Sequence, residues 1–231
     1  MKKLINIVFF ISASVMMQFA KAQTADEIIN KHITAMGGKE KLLALKTMKI
    51  TGTNLNPQGI NVDVVHTHKH MVGVRTDRNR SGAKAYTIAT PKKGWVTGFG
   101  ETTPRAMDDD QLKGIQNRLD IQGALINYKE KGSKIELAGK EKVEGTDCFN
   151  LKVTDKNGIV NNYYIDSKTY RISKRKFGEN STLFLNYKQN AGGYWFAYTN
   201  KQSNGAVLTI TKIETNIAVD DKIFQVDEGV F

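Results

Sequence analysis

The hydrophobic period of the chain changes several times, and each change marks an element. An apolar run from Leu4 to Phe19 follows Lys2 and Lys3 and ends in Ala20-Lys21-Ala22. A basic start, an apolar middle and two small residues at alternate positions are the three parts of an export signal. The run carries Asn6, Ser12, Ser14 and Gln18 and is shorter than the ~20 residues of a spanning helix. Cleavage after Ala22 is therefore expected, with Gln23 as the new N-terminus. Thr24-Ala25-Asp26-Glu27 then reads as a capping box ahead of an apolar stripe at Ile28, Ile29, Ile33 and Met36, and Gly37-Gly38 stops that helix. Residues 39–45 predict a further turn or two of helix, with Leu42, Leu43 and Leu45 turned inward.

From Lys46 the period becomes two. Met48 and Ile50 open a strand, and Ile60, Val62 and Val64 alternate with Asn61 and Asp63 after an Asn56-Pro57-Gln58-Gly59 turn. Strands are also predicted over 71–75, 84–89 and 94–97. Residues 107–119 break the pattern: Asp108-Asp109-Asp110 suits a helix start, and Met107, Leu112, Ile115 and Leu119 form one apolar face. Strands resume over 134–143, 148–154, 159–165, 170–177, 182–187, 194–199 and 206–213, with Asp155-Lys156-Asn157-Gly158 and Ser203-Asn204-Gly205 as hairpin turns. Phe149, Leu151 and Val153 share one side, and Leu183, Leu185 and Tyr187 repeat the alternation, which predicts a sheet with one dry and one wet face. About ten antiparallel strands and two or three helices make a mainly β (α+β) chain: a strongly curved sheet, an incomplete β-barrel, covered by helices. Residues 23–231 are expected to form one domain.

Composition narrows the function. The chain of 231 residues carries a formal charge of +11, or +8 once Lys2, Lys3 and Lys21 leave with the signal. An exported basic protein meets anionic head groups or acidic glycans rather than nucleic acid. Cys148 is the only cysteine, so no intramolecular disulfide is possible, and its phase in the strand predicts a half-exposed structural thiol. No phosphate loop, nucleophile elbow or convincing acid pair is found, so neither an enzyme nor a cofactor is expected. His66, His68 and His70 fall at a period of two, a spacing that can hold zinc or copper, but the setting reads as a solvated hairpin tip and no metal is expected. Asp108-Asp109-Asp110 lacks the spacing of a calcium loop. Lys92-Lys93 and the basic run 171–176 read as solvated faces that can approach a membrane surface.

Trp95, Phe99, Met107, Leu112, Ile115 and Leu119, with Val62 and Val64, remain. In a closed core they are filler. In an open barrel they line an apolar cavity under a helical lid.

Five stretches resemble exported outer membrane lipoprotein-sorting proteins of the LolA and LolB superfamily. They are Gly37-Gly38-Lys39-Glu40-Lys41-Leu42, Thr90-Pro91-Lys92-Lys93-Gly94-Trp95, Asp120-Ile121-Gln122-Gly123-Ala124-Leu125-Ile126-Asn127-Tyr128-Lys129, Tyr164-Ile165-Asp166-Ser167-Lys168-Thr169-Tyr170 and Val219-Asp220-Asp221-Lys222-Ile223-Phe224. The resemblance implies a LolA-like incomplete barrel in the periplasm, working as a monomer that carries the acyl chains of lipid or lipoprotein and touches the membrane only transiently. Arg75 and Arg78 are the candidates for the arginine that holds the lid in such carriers. The competing reading is an envelope interaction module whose core is filled by its own side chains.

Overall fold

A computed structural model describes residues 23–226, and the predicted export signal lies outside them. The capping box forms as read: Thr24 Oγ1 accepts from the Glu27 N–H at 3.2 Å, and the Glu27 carboxylate accepts from the Thr24 N–H at 3.1 Å. Helix α1 then runs Ala25–Ala35. Gly37 and Gly38 adopt φ of 122° and 96°, a region glycine enters without a Cβ clash, and so end the helix before α2 (Lys39–Leu43).

Among the described residues thirteen strands pair antiparallel in one sheet. The first meander is β1 (Thr47–Leu55), β2 (Asn61–Lys69), β3 (Gly73–Arg80), β4 (Ala83–Ala89), β5 (Gly94–Val96) and β6 (Arg105–Ala106). Helix α3 (Asp109–Gln116) and a connector follow. The second meander is β7 (Lys134–Val143), β8 (Thr146–Thr154), β9 (Val160–Asp166), β10 (Ile172–Phe177), β11 (Asn180–Gln189), β12 (Trp195–Gln202) and β13 (Val207–Thr215). β1 and β13 join the two, giving the order β6-β5-β4-β3-β2-β1-β13-β12-β11-β10-β9-β8-β7. β6 and β7 are unpaired edges, so the barrel is incomplete. β6, with two residues, is too short to show a period in the sequence and is not predicted, whereas β5 lies within the strand expected over 94–97.

Register assigns the side chains to faces. Met48 lies opposite His68, Ile50 opposite His66, His68 opposite Val74, and Val74 opposite Ala89, so these share the inner face with Ile213, Phe196, Tyr198, Tyr163 and Leu151 further round. Helix α1 covers one wall, where Ile28 and Ile29 bury against Phe149, Leu151, Val153 and Ile165. At the other wall Leu112, Ile115 and Leu119 cover Val74 and Ala89. Between them Ile121 meets the cluster of Met48, Ile210 and Ile213. Leu119, Ile121 and Leu125 belong to one connector, which crosses the inside of the barrel from wall to wall. Its backbone is tied at one end of the sheet: the Leu119 carbonyl accepts from the Met71 N–H at 2.9 Å, and Gln122 Nε2 donates to the Leu43 carbonyl at 2.9 Å. That segment is the floor of the barrel.

The outer face is not uniformly wet. Cys148 sits there as its phase predicts, but it is buried rather than half-exposed, because Val143, Tyr164 and Leu183 surround it. Burial also raises the pKa of its thiol, which keeps it protonated and inert. Ile88, Trp95 and Phe224 make a second outer cluster under the 3₁₀ turn Asp221–Phe224.

Candidate functional site

The α3 face forms and points inward. Asp108 Oδ1 accepts from the Gln111 N–H at 2.8 Å and Gln111 Oε1 from the Asp108 N–H at 3.3 Å, so the aspartates serve a helix N-terminus. The helix stops at Gln116, short of the predicted end, and Leu119 comes from the connector beyond it. Met107 and Leu112 lie over Gly94: a Cβ there would come within 2.6 Å of Met107 Sδ and 3.2 Å of Leu112 Cδ1.

The other candidates divide between the faces. Val62 and Val64 are buried, with Val64 opposite Arg78 on the inner face. Phe99 stands at the margin of that face, its ring 5.9 Å from the guanidinium of Arg78 and 4.4 Å from that of Arg80. Trp95 does not join them. It pairs with Ile88 on the outer side and packs against Phe224, because Gly94 and Val96 occupy the inner positions of that three-residue strand. Trp195, beside the inner-facing Phe196, is likewise outside, under the Arg171 guanidinium at 3.7 Å.

Between the two covers, Ile50, Phe184, Phe196, Tyr198 and Leu208 face inward yet stay only half-buried. This strip is an apolar trough above the connector. His66 and His68 stand on its wall and not at a hairpin tip, since β2 continues to Lys69, and of the three only His70 lies in the turn. His66 Nδ1 lies 2.9 Å from Thr76 Oγ1, and His68 Nδ1–H donates to the Arg118 carbonyl at 3.3 Å. Burial and the neighbouring cations push both imidazoles down to about 4, so they are neutral at pH 7. His70 has left the strand and faces Asp120 Oδ1 at 3.7 Å. Among the described residues no group of three or more His, Cys, Asp or Glu side chains is placed to hold a metal ion.

The arginines also separate. Arg75 turns outward, its Nε donating to Asp77 Oδ1 at 2.9 Å and its Nη1 to the Ile223 carbonyl at 3.1 Å. Arg78 turns inward and donates from Nη2 to Thr87 Oγ1 at 3.0 Å. Two inner arginines escaped the reading from sequence, as did Lys188, which lies opposite Phe196 with Nζ 5.5 Å from the Tyr198 ring. Arg175 lies opposite Tyr163 on the inner face, hidden in a basic run whose alternate members, such as Lys174, point out. Arg118 is adjacent to Leu119 and rises from the floor, where no strand period could have announced it. Two surface depressions of about 260 and 300 Å³ are also present, one lined by Val143, Arg171, Phe184 and Tyr187 and one beside α1 lined by Asp26, Asn30 and Tyr128.

Sequence comparison finds no matching family model and no matching curated protein. Solved structures do match. A DUF1329 family protein from Desulfovibrio piger superposes with a TM-score of 0.61 at 13% identity, over 88% of this chain and 98% of that one. A LolA superfamily protein from Nitrosomonas europaea gives 0.57 at 15% identity, over 89% and 99%. The fold is LolA-like. An outer membrane lipoprotein-sorting protein domain from Vibrio parahaemolyticus gives 0.55 at 16% identity, over 86% and 94%. The resemblance read from the sequence thus agrees with the architecture. In this LolA-like chain α1 and α3 cover the two walls, and the trough lies open between them.

Proposed function

We propose that this protein binds and carries the acyl chains of lipid or lipoprotein in the cell envelope. One observation carries the reading: Ile50, Phe184, Phe196, Tyr198 and Leu208 line the inside of a barrel and are nevertheless half-exposed. A core filled by its own side chains would bury them. Hydrocarbon laid along such a surface gains ~0.8 kcal/mol per methylene removed from water, so affinity needs no polar code. Helix α3 suits a lid, because it rests on β3 and β4 through Leu112 and Ile115 and buries no residue completely. The export signal argues for the periplasm, and the basic surface for brief contact with anionic membrane. The LolA-like fold supports the same reading.

Ile115→Asp puts a carboxylate into the contact between α3 and Ala89. It should cost about 2 kcal/mol of stability and weaken acyl-chain binding, with urea denaturation and laurate titration as the measurements. Unchanged laurate affinity would remove α3 from the site. Both native tryptophans are on the outer face, so wild-type fluorescence should hardly respond to laurate, whereas a Tyr198→Trp variant should respond strongly. A silent Tyr198→Trp variant, in a protein that purifies free of lipid, would favour the envelope interaction module instead.

A further inference from the structure

The inside of the trough is not purely apolar: beside Asn54 and Asn200 it carries charged side chains, and on β1 to β3 and β9 to β13 these are all basic. Arg78 on β3, His66 on β2 and Arg175 on β10 project inward from different walls, as the pairings of Arg78 with Val64, His66 with Ile50 and Arg175 with Tyr163 require. Arg118 rises between them from the connector. It lies within electrostatic reach of His66 on one side and of Arg175 on the other. Its carbonyl accepts from His68 Nδ1–H at 3.3 Å, which holds Arg118 beside the inner face of β2, with its side chain accessible to solvent.

The three arginines have no anionic counterpart on this face. β1 to β3 and β9 to β13 place no Asp or Glu on the inner face, since Asp63, Asp77, Asp166 and Glu214 all take outward positions. Asp120, two residues after Arg118, is taken by Lys131 Nζ at 2.6 Å. Among the described residues neither Arg118 nor Arg175 forms an ion pair, and the Arg78 Nε–H is buried with no acceptor. Buried donors and like charges brought together without a partner raise the free energy of the empty protein, and an anion would relieve both. Arg75, which turns outward, does find a carboxylate partner in Asp77.

From this juxtaposition we infer that the trough takes an acyl chain bearing an anionic head group, a fatty-acid carboxylate, with Arg118, Arg175 and Arg78 receiving the head and the apolar strip of Phe184, Phe196, Tyr198 and Leu208 receiving the tail. The inference rests on the carrier reading and adds the polarity of the ligand. Arg118 is the central residue, because it rises from the connector that joins the two walls, next to His68 of β2. A guanidinium can grip a carboxylate through two parallel N–H donors, which a lysine cannot copy.

Calorimetry on the mature protein tests it, with laurate, dodecanol and acetate as probes. Laurate should bind about tenfold or more tightly than dodecanol, and acetate should not bind measurably, since it lacks the tail. Arg118→Gln should abolish the preference for laurate while leaving dodecanol affinity unchanged, and Arg118→Lys should restore it only in part. Arg175→Gln should act in the same direction. Equal affinity for laurate and dodecanol in the wild type, with Arg118→Gln silent, would overturn the head-group assignment and leave the carrier reading intact. Acetate binding as tight as laurate would also overturn it, as a free-anion site. Binding of none of the three would overturn the carrier reading together with this one.

Discussion

Lowering the pH from 7.5 to 4.5 is expected to remove about 4 kcal/mol of stability, roughly 2 kcal/mol from each of His66 and His68. Both imidazoles stand inside the barrel, and burial, with the charges of Arg118 and Arg78 close by, pushes their pKa values down to about 4. In the unfolded chain they return to the ordinary histidine value. Both folded values lie below the unfolded one, so between about pH 6.5 and 4 the unfolded state binds more protons and stability falls as pH falls. Above pH 6.5 the contribution is complete. Urea denaturation at pH 7.5, 6.0, 5.0 and 4.5 checks the slope. His68→Gln should flatten about half of it. A midpoint that stays constant from pH 7.5 to 5 would show that these histidines are not held neutral inside the fold.

Phe224→Ala is expected to cost about 3–5 kcal/mol, the range for removing a fully buried aromatic ring. Phe224 closes the outer cluster against Ile88 and Trp95, and its ring occupies the space above Gly73, where a Cβ would come within 2.5 Å of it. The 3₁₀ turn that carries Phe224 is thereby clamped onto β3. Thermal denaturation reads the loss, and a red shift of Trp95 emission in the variant reports its local cause. A variant with wild-type stability and unshifted emission would mean that the segment does not pack there. Gly73→Ala should act on the same contact from the opposite side, by displacing the ring.

Much of the fold could be read from residues alone, because one-sided alternation and caps are local signals. Phe149, Leu151 and Val153 announce their common face, and Thr24 with Glu27 announces the start of α1. The apolar stripe of Leu112 and Ile115 was equally plain from its spacing, whereas Leu119 packs beside them from beyond the end of α3. What local patterns cannot give is the phase of a very short strand or the course of a segment without a period. Trp95 shows the first: in a strand of three residues nothing distinguishes inside from outside until Gly94 is seen beneath Met107. Cys148 shows a related failure, since a polar neighbourhood in sequence became apolar once β9 and β11 closed over it. His66 and His68 were misplaced because Asn, His and Lys compose hairpin tips and strand walls alike. Arg118 and Arg175 needed the barrel to curve before they could meet, and no spacing along the chain records that meeting.

The central claim, that the trough holds an acyl chain, is tested most directly on the protein as the cell makes it. The mature protein should be isolated from the envelope fraction without detergent, extracted with organic solvent and analysed by mass spectrometry against a variant carrying Ile115→Asp. Retention of acyl lipid by the wild type and its depletion from the variant is the predicted result. A wild-type protein that emerges free of lipid, and whose Tyr198→Trp variant stays silent with laurate, would contradict the account.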